Sequence, residues 1–146
     1  MSRLTLSQAN SILAHAFRLA TVERHGPMAV VVLDAGGHLV AFQRNDTAPF
    51  LYGDMSIAKA WATISMQRSS RIQSEKLTSR AGLIGSLSEI SDGRFLAVPG
   101  GVMIRAADGE VIGAVGVAGR SGGEQGEACL LQAVAAAGLV GDAGET

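Results

Sequence analysis

Apolar and polar positions near the start of this chain repeat with a helical period. Apolar residues recur every three or four positions from Ala9 to Ala20, and Thr5 and Gln8 have the spacing of a capping box. The dipeptide Gly26-Pro27 then ends the pattern. The sequence therefore predicts a first helix that begins after Thr5 and ends before this dipeptide.

The pattern then changes to short apolar runs of strand composition. Residues 28–33 and 38–44 are two such runs, and turn residues fill positions 34–37 between them. This arrangement predicts a β-hairpin. From Tyr52 to Gln67 the helical period returns with apolar residues on most sides, which predicts a helix that is mostly buried.

The second half of the chain is predicted to be mainly a meander. Residues 69–93 are polar and interrupted, so we expect one short helix near 74–79 and then a loop. Residues 124–137 predict a final Ala-rich helix, and residues 138–146 have the composition of a flexible tail. Three further strands are predicted at residues 95–98, 102–106 and 111–118, with a tight turn at Asp108-Gly109.

The order of these elements predicts an α+β fold in one domain, residues 1–146. Mostly antiparallel strands are expected, with helices covering the faces of the sheet. The helices over 52–67 and 124–137 carry more apolar surface than a small sheet can cover. We therefore expect the chain to form a homo-oligomer rather than a monomer.

Composition and charge exclude several classes of partner. The 146 residues carry 12 basic and 13 acidic side chains without long runs, so neither nucleic acid nor an anionic membrane is expected as a partner. No apolar stretch is long enough to span a membrane, and the polar start does not resemble a signal peptide, which predicts a cytoplasmic protein. Cys129 is the single cysteine, so no disulfide and no metal site is predicted.

Two β-rich segments, 98–104 and 113–119, carry glycines where strands usually carry side chains. Either a ligand or another backbone is expected to approach the main chain closely there. Gly100 and Gly101 follow Pro99, which restricts the backbone, so the pair can present N–H groups to a ligand. The alternative is that they only form a sharp bend between strands.

Four charged residues are candidates for chemistry. Arg44 and Asp46 lie at a strand end, where a guanidinium can hold a carboxylate bidentately, although a surface ion pair is the alternative. Lys59 is the one charge in an apolar stretch, so it either reaches water or finds an anionic partner, and burial would lower its pKa enough for general-base work. Glu127 stands in the first turn of the last helix, where a carboxylate suits the helix dipole.

Several blocks together resemble the GlcG/HbpS family, which includes the PduO C-terminal domain. The blocks occur in the family's order and spacing from Leu6 to about Ala137. They are Gly26-Pro27, Val30 to Val40, Arg44-Asn-Asp46, Ile57 to Ala60, Pro99 to Val102 and Ile112 to Gly119.

The resemblance implies a profilin-like fold, with a five-stranded antiparallel sheet between helices in α/β/α layers, and homo-oligomers from dimers to octamers. It also implies haem or corrinoid binding for some members, and pathways that degrade small acids for others. Ala118 and Gly126 stand where the family usually has Ser and Asp. The resemblance places Glu127 in register to act as an acid or base beside Arg44 or Lys59.

Haem would need an axial ligand, and the chain offers His15, His25 and His38. None of them combines an apolar pocket signature with the glycine motifs. The sequence therefore predicts that haem binds weakly or at the surface.

The leading interpretation is a protein that binds a small anionic ligand, with haem or a related tetrapyrrole as the first candidate. Its pocket is predicted to bring together Gly100-Gly101, Arg44 and Lys59. The alternative is a cofactor-independent isomerase, hydrolase or deaminase acting on a small unsaturated carboxylate. In that case Arg44 anchors the acid, and Lys59 or Glu127 moves protons. A third possibility is that the assembly itself is the functional object.

Overall fold

The computed structural model describes residues 2–144. The helices are α1 (Leu6–Val22), α2 (Leu51–Met66), α3 (Ser70–Leu77), α4 (Ala81–Ile90) and α5 (Gly123–Ala136). The strands are β1 (Met28–Asp34), β2 (Leu39–Arg44), β3 (Gly101–Arg105), β4 (Val111–Gly119) and β5 (Val140–Asp142).

Local sequence signals set the first helix and the first hairpin. The Thr5 hydroxyl accepts a hydrogen bond from the Gln8 backbone at 3.1 Å, and the Gln8 side chain accepts one from the Thr5 backbone at 3.0 Å. The predicted capping box is thus confirmed. β1 and β2 pair antiparallel across the turn at residues 34–37, as the predicted hairpin requires.

The five strands form one antiparallel sheet in the order β2-β1-β4-β3-β5. Side chains of a strand alternate between the two faces of the sheet, and β1 is apolar on both. Val30 and Val32 pack with α1 and α5, whereas Val31 and Leu33 pack with α2. The sheet therefore lies between two helical layers, and the predicted α+β class is confirmed.

Residues 69–93 contain the predicted short helix as α3, which begins earlier than expected, but the loop predicted after it is wrong, because α4 occupies residues 81–90. The polar residues of this segment did not signal a loop, since Ser69 caps α3 by accepting a hydrogen bond from the Ile72 backbone at 3.2 Å. Ile72 and Leu77 are buried on that helix. In α4, by contrast, no residue is buried, although Leu83, Ile84, Leu87 and Ile90 are apolar.

The strand predicted at residues 95–98 is also wrong. The Leu96 backbone N–H donates to the Ala58 carbonyl of α2 at 3.3 Å, so this segment follows a helix instead of the sheet. Phe95 is buried beside Ala62 and Leu77. The fifth strand is β5, and it lies within the predicted flexible tail.

β5 is held by contacts with distant parts of the chain. It pairs antiparallel with β3, and Arg105 donates to Asp142 at 2.8 Å. Residues 145 and 146 of the predicted tail lie outside the described residues. Within the described range, no helix combines the length and the apolar character needed to cross a membrane.

Candidate functional site

Lys59 is buried where α2 crosses the end of β4. Its side chain is 5% exposed, and its Nζ atom donates to the Val117 carbonyl at 3.0 Å. Burial lowers the pKa of Lys59 below its ordinary value. Gly100 lies beside it with φ +124°, and a Cβ there would come within 2.7 Å of the Val117 oxygen and 3.1 Å of Lys59 Nζ. The structure therefore brings Lys59 and Gly100 into contact, and the partner of Lys59 is a carbonyl oxygen instead of the predicted anion or water.

The glycines at this point make room for α2. A Cβ on Gly101 would meet the Thr63 hydroxyl and lie 2.7 Å from the Lys59 carbonyl oxygen, and a Cβ on Gly116 would meet the Ser56 carbonyl. The Gly101 N–H donates to the Ser70 hydroxyl at 2.8 Å. Of the two alternatives from the sequence, the close approach is therefore that of another backbone.

Glu127 joins α5 to α3 through a residue that sequence reasoning missed. Arg71 Nε donates to both carboxylate oxygens of Glu127 at 3.1 Å, and its Nη1 donates to Glu75 at 3.2 Å. The hydrogen bonds that Arg71 donates to Glu127 raise the pKa of Arg71 above its ordinary value. No hydrogen bond or ion pair within residues 2–144 joins Glu127 to Lys59 or Arg44.

Arg44 contacts its own loop. Its guanidinium donates to the Ala48 carbonyl at 2.6 Å. Asn45 fixes the same loop to β1, because its side chain accepts from the Met28 N–H at 2.8 Å and its own N–H donates to the Met28 carbonyl at 3.0 Å. Three strand spacings of the sheet, together roughly 14 Å, separate the β2 strand that carries Arg44 from β3. Arg44 therefore shapes the β2–α2 loop.

Asp46 lies in an open cavity of about 420 Å³ between the end of α1 and this loop. We call it the α1 cleft. Its size falls in the range of small-molecule sites. It is lined by Phe17, Ala20, Thr21, Arg24, Gly26, Pro27, Asn45, Asp46 and Thr47.

Arg24 reaches the cleft from an unusual backbone position. The His25 N–H donates to the Ala20 carbonyl at 2.9 Å, and the Arg24 N–H donates to the Thr21 carbonyl at 3.3 Å. These two bonds form a Schellman motif, in which glycine usually occupies the left-handed position. Here Arg24 occupies it with φ 58°. A left-handed conformation costs a residue with a side chain about 1–2 kcal/mol.

The three histidines lie elsewhere. His25 Nε2 is 2.7 Å from a Glu23 carboxylate oxygen, and His38 lies 3.4 Å from Asp34 at the other end of β1. His15 is half-buried on α1. Within the described part of the chain, no histidine lines the α1 cleft, and no three His, Cys, Asp or Glu residues cluster as a metal site.

Cys129 and Gly126 face the apolar layer between α5 and the sheet. Burial raises the pKa of the Cys129 thiol to about 11, so the thiol is protonated at neutral pH and is a poor nucleophile. A Cβ on Gly126 would lie 2.6 Å from a Val117 methyl group. An aspartate therefore has no room at this position, which explains in part the departure from the family pattern.

A family model described as "Haem degrading protein HbpS-like" matches residues 4–135. An uncharacterized 15.0 kDa protein from the dhaT-dhaS intergenic region of Citrobacter freundii is 28% identical over 119 residues, 82% of each chain.

Two solved structures are similar over nearly their whole length. The PduOC:heme complex is 25% identical, covers 92% of this chain and 95% of its own, and superposes with a TM-score of 0.81. The Klebsiella pneumoniae protein ORFY is 27% identical, with coverages of 94% and 93% and a TM-score of 0.83.

Proposed function

Since the chain belongs to the HbpS-like family, we propose that it binds haem or a related tetrapyrrole in the α1 cleft. The observation that carries this proposal is the cleft itself, which is open, has a volume of about 420 Å³ and is lined by apolar and polar side chains with one cation, Arg24, and one anion, Asp46. The similarity to the PduOC:heme complex supports the choice of ligand.

The lining suits the organic part of a haem. Phe17 and Pro27, both partly exposed, offer apolar surface for one face of a flat ring. Arg24 offers the planar, always-charged fork that pairs with a propionate carboxylate. A ring with acidic side chains therefore matches both the walls and the charge of the cleft.

The lining does not supply the usual ligand for haem iron. That iron is held in proteins by histidine, cysteine, methionine or tyrosine side chains. None of these is among the described residues that line the cleft. This absence supports the expectation, made from the histidines of the sequence, that haem binds weakly or at the surface.

The predicted site residues other than Asp46 lie outside this lining. Arg44 supports the cleft through the Ala48 carbonyl. Lys59 and Glu127 are each engaged in internal contacts, as is the Gly100-Gly101 pair. The roles of Lys59 and Glu127 in moving protons remain predictions, and no contact favours the enzyme alternative over ligand binding.

Assembly into a homo-oligomer forms part of the proposal. One side of α2 and one side of α5 pack against the two faces of the sheet within one subunit. Among the described residues, the two most exposed large apolar side chains are Phe50, just before α2, at 83% and Ile90, at the end of α4, at 80%. Such surface on a small protein is typical of subunit contacts.

A haemin titration of the purified protein tests the ligand. We expect a saturable change in the Soret band with one haem per chain. Haemin titrated into the same buffer without protein provides the baseline, since haemin aggregates also absorb in this region. The absence of saturable binding would overturn the proposed function.

A further inference from the structure

We infer that the α1 cleft recognises the acidic ring of its ligand through Arg24 and does not recognise the metal that the ring carries. This inference rests on the proposed function and specifies what that site selects. It makes Arg24 the specificity-determining residue of the cleft.

The backbone at Arg24 is the first support. Three residues other than glycine have positive φ in the described structure, namely Arg24, Gln67 and Asp92. Arg24 is the one among them that lines the α1 cleft. The fold thus tolerates local strain at a helix end, and the residue that takes the strained conformation here is the one cationic residue of a ligand-sized cleft.

The opposite wall of the cleft is preorganised. Two hydrogen bonds between Asn45 and the Met28 backbone anchor the β2–α2 loop, and the Arg44 guanidinium closes it onto Ala48. Asp46 and Thr47 are therefore held at fixed positions across from α1. A rigid wall lowers the entropy cost of binding a flat ring.

Charge then orients the ligand. The two ionised side chains of the lining are Arg24, on the α1 side, and Asp46, on the loop side. A carboxylate gains a paired, charge-assisted hydrogen bond at Arg24 and is repelled at Asp46. The acidic edge of a ring is therefore directed toward α1.

The surroundings of the nearest imidazole argue against a metal contact. His25 follows Arg24 directly, but its Nε2 lies 2.7 Å from the Glu23 carboxylate and its side chain is 15% exposed. The lining residues with donor atoms carry only oxygens and amide or guanidinium nitrogens, as in Thr21, Asn45 and Thr47. Oxygen donors of this kind are poor substitutes for the usual haem ligands.

The test compares haemin with metal-free protoporphyrin IX on the wild-type protein and on three variants. We expect the two ligands to bind the wild type with Kd values within about threefold of each other. Arg24→Gly should weaken both by roughly tenfold or more, because a charge-assisted hydrogen bond is lost. Gln67→Gly relieves the same kind of strain away from the cleft and should leave both Kd values unchanged. His25→Ala should also leave both Kd values unchanged.

The outcomes separate the inference from the proposed function. If haemin binds and protoporphyrin IX binds more than roughly tenfold more weakly, or if His25→Ala removes haemin binding alone, the metal is recognised and the inference is wrong. Equal losses in Arg24→Gly and Gln67→Gly would overturn the role of Arg24. If neither ligand binds the wild type, the proposed function itself is overturned.

Discussion

Lys59 and Val117 are 58 positions apart, yet the lysine ammonium donates to the valine carbonyl at 3.0 Å. This bond ties α2 to the end of β4 at the point where Gly100 removes a side chain from the space between them. It gives the only charge of an apolar helical stretch a partner inside the protein.

Replacing Lys59 by Met should make the free energy of unfolding vary less with pH in the alkaline range. Burial lowers the pKa of Lys59 in the folded state, so the unfolded chain binds more protons between that lowered pKa and 10.5. The wild type should therefore gain stability relative to Lys59→Met as pH rises through this window. Urea unfolding of both proteins from pH 7 to pH 10 measures the difference, and parallel profiles would contradict the prediction.

Breaking the Arg71–Glu127 pair should destabilise the protein. Glu127→Gln leaves Arg71 without its carboxylate in a partly buried place, and a loss of about 1–3 kcal/mol is expected. Glu75→Gln is the matched control, since Glu75 contacts the same arginine but is 61% exposed, and it should cost under about 0.5 kcal/mol. Equal losses in thermal or urea unfolding would show that burial of Glu127 is not the cause.

Arg24→Gly should stabilise the fold while it weakens ligand binding. Glycine adopts the left-handed conformation freely, so the free energy of unfolding should rise by about 1 kcal/mol. The gain is smaller than the full strain because glycine also loses more backbone entropy on folding. Calorimetric unfolding checks the sign, and a destabilised variant would mean that the arginine side chain contributes to packing.

Asp46→Asn should tighten the binding of an acidic ligand. The substitution removes the one carboxylate of the cleft lining and keeps the side chain nearly the same size. The effect should shrink as salt is added, because the repulsion acts through solvent. Asp54→Asn, at an exposed position of α2, provides the control. Unchanged or weaker binding in Asp46→Asn would place the ligand outside the α1 cleft.

Assembly can be measured directly by size-exclusion chromatography with light scattering. A mass well above that of the 15.0 kDa chain is expected at micromolar concentration. Ile90→Glu should reduce this mass, because it puts a charge on the exposed apolar side of α4. Leu39→Glu, at an exposed position on the edge strand β2, should not. A wild-type monomer would refute the proposed assembly.

Elements with strong local signals could be predicted from the sequence. The capping box of Thr5 and the turn before β2 act over a few residues, so the pattern alone specified α1 and the first hairpin. The resemblance to the GlcG/HbpS family, which the family match confirms, supplied the sheet between two helical layers.

Elements held by distant contacts could not be predicted in this way. β5 has three residues, and its place depends on β3 and on the Arg105–Asp142 pair. Residues 95–98 have strand composition, but the Leu96 N–H donates a hydrogen bond to the Ala58 carbonyl of α2 instead of to a neighbouring strand.

The same distinction applies to the site. Lys59 and the glycines were singled out by their sequence context, but their proximity was predicted from the fold that the family resemblance implies. Arg71 had no such signal, because it lies in a polar segment, although Ser70 and Ile72 on either side of it are buried. Arg24 had no signal in the sequence either, because an arginine rarely adopts the left-handed conformation and the pattern marked only Gly26-Pro27 as the end of the first helix.

The state of Cys129 has a practical consequence for experiments on this protein. Its thiol is buried and protonated at neutral pH, so common maleimide and iodoacetamide reagents should spare it. A single cysteine introduced at Thr47 would then be the one reactive thiol of the chain, without any need to remove the native one. A fluorophore attached there would report directly on ligands that enter the α1 cleft, whether or not they absorb light themselves.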